Sequence, residues 1–297
     1  MRDVVRRFGF DVEYMKLTPG PLNMEAAEIH VHGCLVYRER FGCQVLACGT
    51  ASPRAYTIML VREGVASFFG SRVSAQQIVL YPPGCSIDAV GYPGLRDIHY
   101  MLTAERVEAA GAERNVDLIK APRTFSVDPG VDRLDHLFTV LEQVDAIVES
   151  RDSTIWPEVE QELMRNFLGL FDAASYGSGW SLPPLQAATK RATETRNYIF
   201  STSAADLDLA SLARDLGITR QHLNRCFREN YDISVREFVH MYRLNQARKQ
   251  LLSGGSEMSV TEAAYSSGFN HLGRFSVEYR ELFGETPSQA LRRAQAS

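Results

Sequence analysis

The last third of this chain contains the same residue pattern twice. Residues 212–234, "LARDLGITRQHLNRCFRENYDIS", match residues 263–287, "AAYSSGFNHLGRFSVEYRELFGETP". Leu209, Ala213 and Gly217 have counterparts 51 residues later, and Leu223 and Phe227 have counterparts 52 residues later. Such a repeat predicts two copies of one supersecondary unit. The matched pairs are Leu209 and Val260, Ala213 and Ala264, Gly217 and Gly268, Leu223 and Phe275, and Phe227 and Tyr279.

Each copy has the features of a helix-turn-helix. The alanine, Ala213 or Ala264, lets two helices approach, and Gly217 or Gly268 can take the left-handed backbone that ends the first helix. Thr219 is predicted to cap the second helix. Apolar residues after the glycine are predicted to fill the corner and the inner face of that helix. They are Ile218, Leu223 and Phe227 in the first copy and Phe269, Phe275 and Tyr279 in the second.

This assignment leaves a polar and basic outer face on each second helix, with Leu272 and Val277 also placed outside. Arginine can form paired hydrogen bonds to guanine, and glutamine or asparagine to adenine, when such a helix enters the major groove. The predicted base contacts are Gln221, Asn224, Arg225, His271 and Arg274. The predicted phosphate or flanking contacts are Thr219, Arg220, His222, Arg228, Asn270 and Arg280. Exposed arginines are often only a solvated face, but two copies in register favour DNA binding.

The segment between the copies, residues 234–252, contains no glycine or proline and has apolar residues near helical spacing. A helix of ~18 residues spans ~27 Å. It could hold two reading units about one duplex turn apart, ~34 Å from centre to centre.

Residues 187–293 resemble the DNA-binding domain of AraC/XylS-type transcription regulators in order, in spacing and in the closing motif "FGETP". The resemblance implies two helix-turn-helix units in successive major grooves on one face of promoter DNA. Carried over by position, it places Gln221, Asn224 and Arg225 at bases in the first unit. In the second unit it places His271, Arg274 and Val277 there. Val277 departs from the family, where arginine or lysine is frequent, so we expect the second unit to read fewer bases or to depend more on Arg274.

The first half of the chain is predicted to be mostly strand. "AYTIMLVREGVASFFG" is typical of a hairpin turning near Glu63 and Gly64, and "QQIVLYPPGCSIDAV" places a Pro-Pro-Gly turn between two strands. Residues 128–150 and 156–174 have helical periodicity. The cluster "SYGSGWSLPPLQ", residues 175–186, indicates a domain boundary.

The predicted fold class is therefore α+β. Residues 1–180 would form an antiparallel β-barrel or sandwich with accessory helices, and residues 186–297 an all-α domain of two helix-turn-helix units joined by a long helix. The resemblance further implies a cupin-like barrel for residues 1–180, which would sense a small-molecule effector. It also implies dimerisation through nearby helices, for which 131–149 is the candidate.

Composition excludes some classes of protein. No stretch approaches the ~20 apolar residues of a membrane span, and the charged N-terminus does not match a secretory signal. The five cysteines fit buried residues of a reducing cytosol, which predicts a cytoplasmic protein that does not contact a membrane. Residues 186–297 carry 15 Lys+Arg and 12 Asp+Glu, whereas residues 1–185 carry 17 and 24. This asymmetry permits a basic face on the C-terminal domain.

Three histidines raise the question of a metal. His30 and His32 share one side of a strand, as in a cupin metal site, and His99 could be a third ligand. Glu39 is seven residues beyond His32, which is not the close spacing that a metal cupin would show. A structural or effector-contacting role is the favoured interpretation, with no metal and no cofactor. No nucleophile elbow, phosphate loop or dinucleotide fingerprint is present, so we predict no catalytic residues and no enzyme activity.

The predicted function is a cytoplasmic, homodimeric transcription regulator that binds double-stranded promoter DNA. A small-molecule effector would modulate it. Activation, through RNA polymerase, is preferred over repression on the resemblance alone. Two alternatives remain open. In one, a protein partner controls the regulator and there is no small-molecule effector. In the other, a metal-dependent cupin enzyme is fused to a DNA-binding tail, and metal analysis would separate it.

Overall fold

A computed structural model describes residues 11–20, 29–31, 34–75, 77–126, 139–144, 146–147, 154–169, 187–255 and 258–296. The strands are β1 (Asp11–Lys16), β2 (Ile29–Val31), β3 (Cys34–Arg40), β4 (Val45–Thr50), β5 (Ala55–Glu63), β6 (Val65–Phe68), β7 (Ser71–Ser74), β8 (Gln77–Tyr81), β9 (Ser86–Gly91), β10 (Arg96–Thr103) and β11 (Arg123–Ser126). The helices are α1 (Ala104–Glu113), α2 (Trp156–Gly169), α3 (Ala187–Ser201), α4 (Leu209–Asp215), α5 (Arg220–Tyr231), α6 (Val235–Ser253), α7 (Val260–Ser266), α8 (Leu272–Phe283) and α9 (Pro287–Gln295). An N-terminal region of antiparallel sheets thus precedes a C-terminal helical domain, as the sequence predicted.

Within the described residues, the strands form two antiparallel sheets. The five-stranded sheet has the order β1-β4-β9-β6-β7, and the six-stranded sheet has the order β11-β8-β5-β10-β3-β2. Their inner faces meet over an apolar cluster that includes Met59 and Tyr81 from the six-stranded sheet and Phe68 and Ala89 from the five-stranded sheet. The two sheets together are called the sheet domain below.

The predicted hairpin at Glu63 and Gly64 is wrong. A turn is present, with Gly64 at φ 79°, but β5 pairs with β8 and β10 whereas β6 pairs with β7 and β9. The chain therefore crosses from one sheet to the other at Gly64, where a Cβ atom would lie 2.8 Å from the backbone of Gly94 and Leu95. The Pro-Pro-Gly turn likewise joins β8 to β9 in the other sheet. The tight hairpin lies instead between β6 and β7, where Phe69 (φ 47°) and Gly70 (φ 79°) form the turn.

The outer face of the six-stranded sheet is covered by α1, α2 and the helical residues 139–144 and 146–147. Part of the predicted dimerisation helix, 131–138 with 145 and 148–149, lies outside the described residues. In the part that is described, the apolar residues are buried against this sheet within the same chain. These residues are Val140, Leu141, Val144 and Ile147. This apolar stripe therefore packs against the sheet of its own chain.

The helical domain contains two apolar cores. The first includes Leu223, Phe227 and the N-terminal half of α6, and the second includes Phe275, Tyr279 and the C-terminal half of α6. The single long helix predicted between the two repeats is confirmed, and Ser234 and Glu237 cap it reciprocally. The predicted boundary at 175–186 lies outside the described residues. No helix in the described part of the chain is long and apolar enough to cross a bilayer.

The five-stranded sheet separates two compartments. On β1, Val12 and Tyr14 face the other sheet, whereas Met15 packs into the first core of the helical domain. The same alternation holds on β4 and β9. Leu46, Cys48 and Val90 belong to the helical-domain side, whereas Val45, Ala47 and Ala89 belong to the interior. Because strand side chains alternate with a period of two, one sheet contributes to both compartments.

Polar contacts fix the helical domain on this sheet. The side chain of Asn245 accepts a hydrogen bond from the Lys16 amide at 3.1 Å and donates one to the Lys16 carbonyl at 2.9 Å. Arg196 Nη1 lies 2.6 Å from Asp88 Oδ2, and both side chains are only 7% exposed. Removal of one partner of a buried ion pair strongly destabilises a protein, since it leaves the other charge unpaired.

Candidate nucleic-acid interface

The first helix-turn-helix unit, α4 and α5, forms as the sequence predicts. Asp208 caps α4 by accepting a hydrogen bond from the Ser211 amide at 2.8 Å. Gly217 adopts φ 63°, and Thr219 Oγ1 accepts from the His222 amide at 3.2 Å, which confirms the predicted cap. Leu223 and Phe227 are fully buried. Full burial of one such side chain contributes about 1.5–3 kcal/mol.

The second unit, α7 and α8, repeats this arrangement. Ser259 and Glu262 cap α7 reciprocally, and Gly268 adopts φ 83°. A Cβ atom at Gly268 would lie 2.9 Å from both the Ala204 carbonyl oxygen and Arg243 Nε, so a side chain would be strained there. The inward residues predicted for this unit are buried. They are Phe269, Phe275 and Tyr279.

The outer face of α5 is polar and accessible. Arg225 is 65% exposed, and its Nε is 3.9 Å from Glu229 Oε1, so this ion pair is loose. His222 is half-buried. The other predicted DNA contacts of this unit, apart from Asn224, are exposed. They are Thr219, Arg220, Gln221 and Arg228.

Asn224 has a structural contact that the sequence did not indicate. Its side chain is half-buried, and its Oδ1 accepts a hydrogen bond from the Val235 amide at 3.2 Å. The residue therefore connects α5 to the first turn of α6. Its remaining amide group is the part that could approach DNA.

We expect Asn224→Ala to lower the free energy of unfolding by about 0.5–1.5 kcal/mol, because it removes this hydrogen bond. Gln221→Ala, on the exposed face of the same helix, is the matched control and should leave stability unchanged. Urea unfolding of both variants measures the difference. If the two variants are equally stable, the hydrogen bond of Asn224 to the Val235 amide does not contribute to stability.

On the outer face of α8, the carboxylate of Glu278 contacts two basic side chains. Arg274 is 77% exposed, and its Nε donates to Glu278 Oε1 at 2.7 Å. Glu278 Oε2 lies 3.4 Å from His240 Nε2 on α6. Burial lowers the pKa of His240 although Glu278 opposes this shift. The ion pair with Glu278 holds Arg274 in one orientation on the exposed face.

The other outward residues of α8 are mixed in character. His271 begins the helix without a side-chain cap, and Val277 is 58% exposed. The prediction that Leu272 lies outside is wrong, because it is half-buried and packs against the second core. An exposed valine suits contact with a thymine methyl group better than a hydrogen bond to a base. The remaining predicted contacts, Asn270 and Arg280, are exposed.

A cleft of about 780 Å³ lies between the two units. Arg220 and Arg274 line it from the two units, and Arg236 lines it from the first turn of α6. Arg236 is exposed and was missed by the sequence interpretation, which treated α6 only as a spacer. Arg243 also lines the cleft, but it donates to the carbonyl oxygens of Ala204 and Leu207 and is therefore structural.

A second candidate site lies between the two sheets. This cavity, called the sheet pocket below, measures about 70 Å³ and is lined mainly by apolar side chains. At one end, His99 Nε2 lies 3.6 Å from Glu39 Oε2 and 3.6 Å from Asp97 Oδ1. Tyr14 and Tyr37 both donate hydrogen bonds to Glu39 Oε1, at 2.8 Å and 2.5 Å.

Burial and charge shift the ionisation of this cluster. Burial raises the pKa of Asp97. Burial alone would lower the pKa of His99, but Asp97 and Glu39 outweigh it and raise that pKa. Of the three histidines considered from sequence, His32 and the side chain of His30 lie outside the described residues. The structure places His99 beside Glu39 and Asp97, because β3 and β10 pair in that register.

Comparison with known proteins bears on the helical domain. Residues 212–293 match the family model of a helix-turn-helix domain. The chain is 35% identical over 88 residues to the HTH-type transcriptional regulator GlxA of Rhizobium meliloti, an alignment covering 30% of this chain and 26% of that protein. It is 31% identical over 99 residues to the XylDLEGF operon transcriptional activator of Pseudomonas putida, covering 33% and 31%. The C-terminal region therefore contains a helix-turn-helix domain of the AraC/XylS type.

The chain is also similar to a solved structure whose description carries the family name. That protein is a probable AraC family transcriptional regulator from Rhodopseudomonas palustris CGA009, 31% identical, with 36% of this chain and 98% of that chain covered and a TM-score of 0.34. The AraC/XylS-type domain is confirmed where the repeat predicted it. The chain spans about a third of the length of the curated relatives it matches. The two curated relatives named above are transcription regulators, in agreement with the prediction that this AraC/XylS-type chain is not an enzyme.

Proposed function

We propose that this protein is a transcription regulator that binds promoter DNA through α5 and α8 in successive major grooves. The observation that carries the proposal is the pair of matching helix-turn-helix units, each with a buried inner face and an exposed outer face that carries arginine. The N-terminal part of each second helix is the part that reaches base edges in such units.

The spacing of the two units supports binding to one face of the duplex. The 19 residues of α6 span about 28 Å at 1.5 Å per residue. The two ends of α6 are fixed in different cores, so the helix sets both the distance and the rotation between units. Successive major grooves on one face are about 34 Å apart, which α6 and the widths of the two units together can match.

Arg220 and Arg236, which line the cleft between the units, would contact the phosphate backbone that passes over it. Backbone contacts fix the position of a protein on DNA without reading sequence. Base contacts are assigned to Gln221, Asn224 and Arg225 of the first unit and to His271 and Arg274 of the second. Flanking contacts are assigned to Thr219, Arg220, His222, Arg228, Asn270 and Arg280.

The sheet domain is proposed to be a cupin-like effector module. The sheet pocket lies between the sheets and combines an apolar lining with a few polar groups, as small-ligand sites do, and its volume of about 70 Å³ limits the effector to a very small group or an ion. The five-stranded sheet contacts the pocket on one face and the helical domain on the other. A ligand that moves Tyr14 would therefore be one residue away from Met15 and the docked helices.

Further elements of the proposal are a cytoplasmic location, dimerisation, and activation through RNA polymerase. The apolar stripe of 139–147 packs within the chain, so a dimer would have to use other residues of this region. Exposed Glu142 and Gln143 lie on the outward face of the same helical segment.

Arg225→Ala is the variant that tests base reading. We expect it to weaken binding to the preferred site by about 1–3 kcal/mol and to flatten discrimination at one base pair. Arg228→Ala, one helical turn later, should weaken all sequences alike and reduce the salt slope by about one phosphate contact. Selection from a randomised duplex library, followed by salt titration, measures both effects. Identical sequence-preference profiles for wild type and Arg225→Ala would contradict the assignment.

A further inference from the structure

The ionisable cluster in the sheet pocket is incompletely satisfied. Asp97 Oδ1 and His99 Nε2 are both buried and have no hydrogen-bond partner, since their separation of 3.6 Å is too long for a hydrogen bond. Asp97 as a whole is only 3% exposed. A buried polar atom without a partner is unfavourable by about 1–3 kcal/mol, and more if charged. Such atoms therefore point to a bound group that would pair with them.

We propose that Glu39, Asp97 and His99 bind one divalent transition-metal ion in the sheet pocket. This inference concerns the sheet domain alone and does not depend on DNA binding. It departs from the expectation that the chain holds no metal, and it uses a different ligand set from the histidines considered there. Only His99 is common to both.

The positions of the three donors are fixed by strand geometry. Asp97 and His99 are two residues apart on β10, so their side chains leave the same face of the sheet. Glu39 on β3 is the direct register partner of Asp97. The three donor atoms lie within 4.8 Å of one another. Two paired strands therefore bring one imidazole and two carboxylates together without help from a flexible loop.

The distances fit a small ion. Zinc is bound by histidine nitrogen and carboxylate oxygen at about 2.0–2.2 Å. Two donor atoms 3.6 Å apart would subtend about 118° at an ion with 2.1 Å bonds, close to a tetrahedral angle. A set of one nitrogen and two oxygens suits zinc, manganese, iron(II) or cobalt(II). Three protein ligands would leave a further position open to the pocket.

The surroundings orient one of the ligands. Tyr14 and Tyr37 both donate to Glu39 Oε1, so Glu39 Oε2 is left to face His99. Outer hydrogen bonds of this kind fix the orientation of metal-binding carboxylates. The charge balance agrees, because no lysine or arginine is found among the described residues that line the pocket.

The size of the pocket favours an ion over an organic cation. A cavity of 70 Å³ holds about five water molecules, at roughly 10–15 Å³ for each on this measure. An ion with one or two waters fits that space. An aromatic or branched amine would require the walls to move apart.

The test is a titration of the full-length protein with Co²⁺ after a chelator has removed bound metal. Calorimetry and visible absorption monitor the titration. We expect one Co²⁺ per chain. Asp97→Asn and His99→Gln should each weaken binding more than about 100-fold, beyond the usual effect of outer contacts. Tyr37→Phe, which removes only an outer hydrogen bond to Glu39, should weaken it by about 10–100-fold.

The matched control is Glu63→Gln. This exposed acid on β5 pairs with Arg96 outside the pocket, and its loss should not change Co²⁺ affinity. Melting curves without metal establish that each variant is folded, and if Asp97→Asn is not, His99→Gln and Tyr37→Phe decide the outcome. Absence of Co²⁺ binding to the wild-type chain would overturn the proposal, as would equal binding by the folded ligand variants. Stabilisation by organic amines without any response to metal would overturn it as well.

DNA binding is read out separately. If the chain binds Co²⁺ through these residues but binds no specific DNA, the metal site is supported and the proposed function fails. A chain that binds DNA but no metal gives the opposite result.

Discussion

A chain with one alanine inserted after Gln246 is expected to lose about 10²- to 10⁴-fold in affinity for a full DNA site, because the gain from linking two binding units would be lost. The insertion rotates everything beyond it by about 100° around the axis of α6. Val235 and Phe238 would stay in the first core, whereas Ala247 and Leu251 belong to the second. The two reading helices could then no longer face adjacent grooves together.

Footprinting on a full site and on a half site measures this loss. The inserted chain should protect one half of the full site and bind the half site about as well as wild type. The matched control places the same alanine after Gly255, beyond the C-terminal end of α6 and before α7, so that α6 itself keeps its length. Normal protection of both halves by the Gln246 insertion would refute α6 as a rigid spacer.

Asp88→Asn is expected to lower the free energy of unfolding by about 3–5 kcal/mol, because it leaves the buried guanidinium of Arg196 without a counter-charge. The substitution keeps the shape of the side chain and the acceptor for Thr193 Oγ1, which donates to Asp88 at 2.9 Å. The loss therefore reports charge rather than packing. Urea unfolding gives its size, and hydrogen exchange in α3 shows whether docking of the helical domain is what weakens.

An exposed ion pair across the same domain boundary supplies the control. Arg72 and Asp232 are 3.1 Å apart with side chains 61% and 43% exposed. Asp232→Asn should change stability by no more than about 1 kcal/mol, as is usual for surface pairs. If both variants lose the same stability, burial of the Asp88–Arg196 pair is not what matters.

The helical domain was predictable because its determinants are local. Gly217 and Gly268 end helices where a left-handed residue is required, and Thr219 and Ser234 provide caps that depend on residues three positions away. Because the same signals occur in both units, the prediction for each unit supported the prediction for the other. The outer faces then followed from helical periodicity, except that Leu272 packs on the second core.

The sheet domain was less predictable because its contacts join distant residues. Residues 55–61 of β5 are buried throughout, so the strand lacks the alternation that shows which face is inside. The apparent hairpin at Gly64 therefore could not be distinguished from a crossing between sheets. The meeting of Glu39 with His99 depends on the register of β3 and β10, which no local spacing reveals.

The alternation along β1 has a consequence for how this chain can diverge. Val12 and Tyr14 line the pocket, whereas Glu13 pairs with Lys249 of α6 and Met15 packs among the helices. Adjacent residues of β1 therefore have different roles, because one lines the pocket and the next contacts the helices. Substitution of Val12 or Tyr14 would alter the pocket, whereas Glu13 and Met15 preserve the fit to the helices. In the proposed regulator, this strand of six residues would allow the pocket to change its ligand while the contacts that dock the helical domain stay the same.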